Sequence, residues 1–182
     1  MNLKTVMRGG DSEHQLRLMC NELKKVLGDT PTIVELGSYM GESSLIFAQE
    51  FPNGRIICVD SWEGGFDELD SCSNVEYNEV EDQFDLRMTL VNNIEKIKGL
   101  STSVGMNCDM VYIDACHKYE CVKNDIIHWS PFVSKIISGH DYYTSDDFIN
   151  QHPHIAGVKL AVDEILGVPD KNYGDGSWVK FL

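Results

Sequence analysis

The chain is short of basic residues: 15 Lys and Arg stand against 29 Asp and Glu, for a formal net charge of −14. That balance argues against nucleic acid and anionic membrane partners, because both are held through Lys and Arg. No apolar run approaches the roughly 20 residues of a membrane span, and the first residues lack the apolar region of a signal peptide. The six cysteines, Cys20, Cys58, Cys72, Cys108, Cys116 and Cys121, include no C-x-x-C pair. Reduced thiols of a cytoplasmic protein are therefore expected, several of them simply buried, with a zinc site as the lesser alternative. At 182 residues there is too little chain for two comfortable domains. We expect a polar, flexible lead-in at 1–11 and a single domain at 12–182. Internal repeats and low-complexity segments are absent.

What is present is an alternation of short apolar runs and amphipathic stretches. Residues 11–27 carry Leu16, Met19, Cys20, Leu23 and Leu27 at helical spacing, with Asp11 or Ser12 as N-cap and Gly28 as the stop. Further helices are expected at 42–51, 80–92, 120–132 and 157–167. Strands are expected at 32–36, 55–60, 94–99, 109–114, 134–139 and 178–182. Residues 61–78 read as a loop over a ligand pocket, and 146–153 as a polar loop. This order implies an α/β fold: a Rossmann-like, doubly wound, mostly parallel sheet with helices on both faces and a C-terminal antiparallel strand. Ligands of such sheets lie outside the carboxyl ends of the strands. Four of those ends are acidic, at Glu35, Asp60, Asp114 and His140-Asp141.

The first of these ends is the most informative. Val34-Glu35-Leu36-Gly37-Ser38-Tyr39-Met40-Gly41-Glu42-Ser43-Ser44 reads as strand, glycine turn and helix start. A dinucleotide fingerprint needs a third glycine, in the order G-x-G-x-x-G, that is missing here. A carboxylate at the strand end repels a pyrophosphate and suits an ammonium or sulfonium. The local chemistry thus favours a cationic nucleoside over NAD, and S-adenosylmethionine is the common ligand of that description. Asp60 follows Gly41 at close to the roughly 20-residue offset of a ribose-binding acid. The plain alternatives are a tight turn at Gly37 and Gly41, and simple helix capping by Ser43 and Ser44.

Four later stretches complete the pattern: Cys58-Val59-Asp60-Ser61-Trp62, Tyr112-Ile113-Asp114-Ala115-Cys116-His117-Lys118-Tyr119-Glu120, Ser138-Gly139-His140-Asp141-Tyr142, and Gly157-Val158-Lys159-Leu160-Ala161-Val162-Asp163-Glu164. Together with the glycine turn they resemble class I S-adenosylmethionine-dependent methyltransferases over nearly the whole chain from Ser12 on. The likeness is greatest to the small bacterial group with macrocin O-methyltransferase and cephalosporin hydroxylase-like proteins. The resemblance implies that Glu35, Gly37, Ser38 and Gly41 pass under the methionine part of the cofactor, with Ser43 and Ser44 at its carboxylate. It implies Asp60 on the ribose, Ser61 and Trp62 beside the adenine, and Ser101 and Thr102 near its amino group. It also implies a Mg²⁺ or Mn²⁺ ion on Asp114, His140 and Asp141, with Asp114 in contact with the cofactor too. His140 departs from the oxygen ligand usual among relatives, and imidazole suits Mg²⁺ less well. Relatives carry a second acid where this chain has Cys116, which shifts the role of base to His117, with Asp114 beside it.

The activity so implied is metal-assisted O-methylation of a small hydroxylated molecule, a sugar or a secondary metabolite, by a chain that self-associates as relatives often do. One alternative is a catalytically inactive, cofactor-binding relative or partner subunit, which the Ala115-Cys116 departure motivates. Another is an NAD-dependent oxidoreductase, which would share Asp60 but lacks the glycines.

Overall fold

The computed structural model describes residues 2–64, 66–70, 72 and 75–182, the side chain of Tyr77 aside. Six α-helices are found among them: α1 (Asp11–Leu27), α2 (Glu42–Glu50), α3 (Tyr77–Met88), α4 (Tyr119–Trp129), α5 (Asp146–Gln151) and α6 (Ala156–Ile165). The strands are β1 (Thr32–Leu36), β2 (Arg55–Asp60), β3 (Ile94–Lys98), β4 (Cys108–Ile113), β5 (Val133–Gly139), β6 (Lys171–Asn172) and β7 (Trp178–Phe181). They form one sheet in the order β3-β2-β1-β4-β5-β7-β6. The first five are parallel to one another, and β7 runs antiparallel to β5 and to β6.

Strand residues alternate between two apolar layers. Ile33, Ile56, Met110 and Tyr112 pack with α1, α2 and α3 through Leu16, Met19, Phe47 and Phe84. Val34, Ile57, Val111 and Ile137 pack with α4 and α6 through Ile126, Trp129, Val158 and Val162. Cover on both faces explains why the central strands read as unbroken apolar runs. The expected doubly wound sheet with its antiparallel C-terminal strand is what the chain forms.

The differences are local. Helix α1 is capped by Gly10 at φ 59, with no side-chain cap from Asp11 or Ser12, which instead fall inside the helix. Helix α3 starts at Tyr77 and ends at Met88, earlier at both ends than its apolar spacing implied. Residues 65, 71, 73 and 74 of the expected 61–78 loop lie outside the described residues. The stretch read as a polar loop holds α5, where Ser145 accepts a hydrogen bond from the Phe148 amide and Asp146 and Asp147 fill the first turn. A side-chain cap and acids at the positive end stabilise a helix too short to show apolar periodicity.

Chain order runs outward from β1 to β3 and restarts at β4 on the other side of β1, so the topological switch lies between β1 and β4. Gly37 turns there at φ 83. Its amide donates to the Val59 carbonyl at 2.9 Å, while the Asp114 amide donates to the Leu36 carbonyl at 2.9 Å. A Cβ on Gly37 would lie 2.1 Å from the Asp114 carbonyl oxygen and 2.6 Å from Ala115 Cα. Gly37→Ala is therefore expected to cost on the order of 3 kcal/mol, combining a left-handed backbone with a backbone clash. Urea unfolding reads this directly, and a loss below about 1 kcal/mol would contradict the contact.

Candidate active site

A cavity of about 380 Å³ opens at the carboxyl ends of the parallel strands, within the size range of small-ligand sites. Gly37, Ser38, Ser43, Asp60 and Ser61 form one part of its wall, and Ser101 and Thr102 another. Asp60 is held by backbone: Oδ2 accepts from the Tyr39 amide at 2.8 Å and Oδ1 from the Trp62 amide at 2.7 Å. Burial raises its pKa, against the pull of the Trp62, Tyr39 and Ser38 amides.

Four expected site residues do not reach the wall. Glu35 is fully buried on the α2 side of the sheet, where the Ser44 hydroxyl donates to it. Burial raises its pKa, and Ser43, Ser44 and Ser38 work in the opposite direction. Glu35 and Ser44 thus brace the glycine turn from beneath. The absent Cβ of Gly41 would meet Met88 and Phe84 of α3, so that glycine serves packing. Trp62, at φ 47, turns its ring away from the cavity and into the core. It packs edge-on against Phe84 at 4.7 Å between centroids, and its indole N–H donates to the Tyr39 carbonyl at 2.9 Å.

Asp125, on the other hand, lines the cavity and was not anticipated. It faces the loop after β3, where the Ser101 hydroxyl donates to it and the Trp129 indole N–H holds the Ser101 carbonyl at 2.9 Å. Burial pushes its pKa up to about 6, with the Ser101 hydrogen bond and His128 opposing. The signal was available: an acid lies on the buried face of α4, among Val122, Ile126 and Trp129.

At the other end of the cavity the turns after β4 and β5 bring Asp114, His117, His140 and Asp141 together. Gly139 makes this possible, since a Cβ there would lie 2.4 Å from the Ile113 carbonyl oxygen and 2.9 Å from the Trp178 ring. Asp141 has φ 62, a conformation that Asp tolerates better than most residues. His117 Nε2 lies 3.0 Å from Asp141 Oδ2 and 3.9 Å from Asp114 Oδ1. His140 Nδ1 lies 3.2 Å from Asp141 Oδ2 and 3.8 Å from Asp114 Oδ1. Burial works to raise the pKa of both carboxyls. His140, with His117 and Arg8 beyond it, outweighs burial at Asp114, and the two imidazoles do so more strongly at Asp141. The imidazoles answer in kind: burial works to lower their pKa, and the carboxylates raise that of His140 and push that of His117 well up.

Asp114, His140 and Asp141 each offer one donor atom, all within 4.8 Å of one another. Neighbouring donors of an octahedral ion with bonds of about 2.1 Å are about 3 Å apart, so small side-chain movements would close this set. Two carboxylates and an imidazole suit Mn²⁺ better than Mg²⁺. His140 Nε2 and His117 Nδ1 are buried without a hydrogen-bond partner among the described residues.

The lead-in supplies a second unanticipated group. The amides of Val6, Met7 and Arg8 donate to the Glu42 carboxylate at 2.6–3.3 Å. This strap carries Arg8, 5 % exposed, into the protein. Its guanidinium donates to Asp114 Oδ2 at 2.6 Å, Tyr112 Oη at 3.1 Å, Asp175 Oδ2 at 3.3 Å and Ser12 Oγ at 3.4 Å. Burial opposes its charge, and Tyr112, Asp114 and Asp175 more than offset that. Nothing local in the sequence marks these partners, because Asp114 and Asp175 lie 106 and 167 residues further along the chain.

Parallel strands ending in acids around a cavity at the switch point are the architecture of an α/β domain that binds a nucleoside or nucleotide. By its match over residues 34–142, the chain belongs to the methyltransferase domain family, as a class I S-adenosylmethionine-dependent methyltransferase. Solved structures of the same fold include the TDP-rhamnose 3′-O-methyltransferase of calicheamicin biosynthesis, 16% identical with a TM-score of 0.59, over 95% of this chain and 80% of that one. The O-methyltransferase TomG of Streptomyces achromogenes, in complex with S-adenosylmethionine, is 15% identical with a TM-score of 0.60, over 91% of this chain and 78% of that one. The N-methyltransferase NodS of Bradyrhizobium japonicum is 10% identical with a TM-score of 0.60, over 94% and 95% respectively. At these identities the likeness is one of fold, and the methyl acceptor does not follow from it. No curated protein matches the chain in sequence. No helix among the described residues is long and apolar enough to cross a membrane.

Two outcomes follow for stability. Arg8→Met leaves buried Asp175 without its guanidinium partner and Asp114 with the imidazoles alone, and is expected to cost about 3–5 kcal/mol in urea unfolding. A loss under about 1 kcal/mol would show that the pairs contribute little. Asp125 binds its proton more tightly folded than unfolded, where its pKa is about 3.9. Its contribution therefore falls as pH rises from about 4 to about 6 and is level above that. Asp125→Asn removes this fall, so the stability change between pH 4 and pH 7.5 should shift by about 2–3 kcal/mol in favour of the higher pH. An unchanged pH profile would mean that Asp125 titrates normally.

Proposed function

We propose that the chain transfers the methyl group of S-adenosylmethionine to a hydroxyl oxygen of a small molecule, with help from a divalent cation. The observation that carries this reading is the convergence of Asp114, His140 and Asp141, with His117 beside them, in the cavity whose wall also carries Asp60, Ser61, Ser101 and Thr102. In the reaction an acceptor oxygen lone pair forms a bond to the methyl carbon as the carbon–sulfur bond breaks. The electron pair of that bond stays on sulfur, and S-adenosylhomocysteine leaves. The donor is already activated, so the protein's task is to align the two molecules and exclude water.

Asp60 is assigned to the ribose hydroxyls, and the α2 N-terminus at Ser43 to the methionine carboxylate. Gly37 and Ser38 support the methionine chain, and Ser101, Thr102 and Asp125 flank the adenine. Asp114, His140 and Asp141 would hold the cation, which when bound lowers the pKa of an acceptor hydroxyl. His117, 3.0 Å from Asp141, is assigned the acceptor's proton; a cation on Asp114 and Asp141 would offset the carboxylate charge that otherwise keeps its ring protonated. The fold alone would serve an N-methyltransferase as well; the carboxylate–imidazole set favours oxygen.

The test is methyl transfer from labelled cofactor to a broad pool of hydroxyl compounds, followed by mass spectrometry, with and without a chelator. The expected product gains one methyl group, disappears on chelation and returns with Mn²⁺. His117→Gln is expected to lower kcat by roughly 10²–10⁴-fold. Activity indifferent to chelator would remove the metal role. Tight cofactor binding without product from any acceptor would instead support a binding-only partner subunit.

A further inference from the structure

The sheet orders the cavity wall from one side to the other. Along its carboxyl edge the loop after β3 comes first, then Asp60 after β2, Gly37 after β1, Asp114 after β4 and Asp141 after β5. The loop after β3 starts beside Asp60, where the Gly99 amide donates to the Asp60 carbonyl at 2.8 Å. A nucleoside with its ribose on Asp60 and its sulfonium turned toward Asp114 and Asp141 therefore sends its base toward that loop. Ser101 and Thr102 reach the wall there, and α4 adds Cys121, Asn124 and Asp125 to it.

The protons of this corner are already assigned. The Ser101 hydroxyl donates to Asp125 Oδ1, and the Trp129 indole N–H fixes the Ser101 carbonyl at 2.9 Å. Ser101 Oγ is left with lone pairs to offer a ligand. Asp125 is 3 % exposed, and Ser101 is the one hydrogen-bond donor to it among the described residues. Its Oδ2 is thus a buried acceptor on the cavity wall without a donor. Burial pushes the Asp125 pKa up to about 6, so at pH 8 the group is a carboxylate and can only accept. His128, the imidazole of the same helix, is engaged at 2.7 Å with the Val104 carbonyl. Thr102 and Asn124 carry groups that can donate or accept and so impose no preference of their own.

A buried carboxylate oxygen gains from a ligand N–H and is opposed by a ligand carbonyl. We propose that Ser101 and Asp125 select the base of the cofactor: as a pair of acceptors they take the exocyclic amino group of adenine and exclude a base with oxygen at that position. This inference rests on the S-adenosylmethionine reading for the ligand and its seat on Asp60, and on the hydrogen-bond pattern of this corner for the choice of base.

The test compares S-adenosylhomocysteine with S-inosylhomocysteine, in which oxygen replaces the amino group, by calorimetric titration at pH 8. No methyl acceptor or turnover is needed. The wild-type chain is expected to bind the adenine form roughly 10²-fold more tightly. In Asp125→Asn the amide oxygen can keep the Ser101 hydrogen bond while the amide N–H groups face the base. That variant is expected to bring the two affinities within about fivefold, by weakening the adenine form and strengthening the hypoxanthine form. Ser101→Ala, which keeps the Trp129 hold on the backbone carbonyl, is expected to narrow the ratio about tenfold. A role in packing alone would weaken both ligands by one factor and leave the ratio unchanged. Equal binding of the two ligands by the wild-type chain, or a ratio kept by both variants, overturns the proposal. Binding of neither ligand to the wild-type chain would remove the cofactor reading, and this proposal with it.

Discussion

The site depends on two backbone turns touching at the switch point of the sheet. Gly37 has no side chain there and sits at φ 83, so the turn after β1 rests on the Asp114 carbonyl. Hydrogen bonds from Gly37 to Val59 and from Asp114 to Leu36 lock β1 between β2 and β4 at the same level. The contact fixes Asp60 and Asp114 on either side of one opening. Gly139 repeats the device one strand further, against Ile113 and Trp178, and so sets His140 and Asp141 beside Asp114. Three short strands thus deliver their terminal side chains into about 380 Å³.

Electrostatics then divides that space. One oxygen of Asp114 is taken by Arg8, which leaves the other toward His117 and His140. A carboxylate buried this far needs a partner on each side to stay ionised. The strap that brings Arg8 is itself held by Glu42 at the start of α2, the helix that follows the glycine turn. The glycine-turn end of the cavity and the end at Asp114 and Asp141 are therefore joined by one set of buried hydrogen bonds. Disturbing the strap should be felt at both.

Much of this was legible in the sequence, for physical reasons. Strands covered on both faces read as apolar runs, and a strand-end acid beyond such a run, as at Asp60 and Asp114, has few structural uses. The cluster of Asp114, His117, His140 and Asp141 followed from adjacency of β4 and β5, which topology supplied. Arg8, Glu42 and Asp175 were not legible, because what defines them is contact across most of the chain length. Trp62 and Gly41 were misplaced for a different reason. Sequence puts them beside the cofactor loop, but only the fold shows that both face α3. Helix α5 was hidden by its shortness, since six residues cannot display a period.

We propose that one cavity holds a nucleoside on Asp60 at one side and a cation on Asp114, His140 and Asp141 at the other. A crystal structure with S-adenosylhomocysteine and Mn²⁺, phased with manganese anomalous scattering, tests it most directly. Ribose hydroxyls on Asp60 and a single anomalous peak bonded to Asp114, His140 and Asp141 are expected. A nucleoside bound away from Asp60, or no manganese at those three side chains, would contradict it.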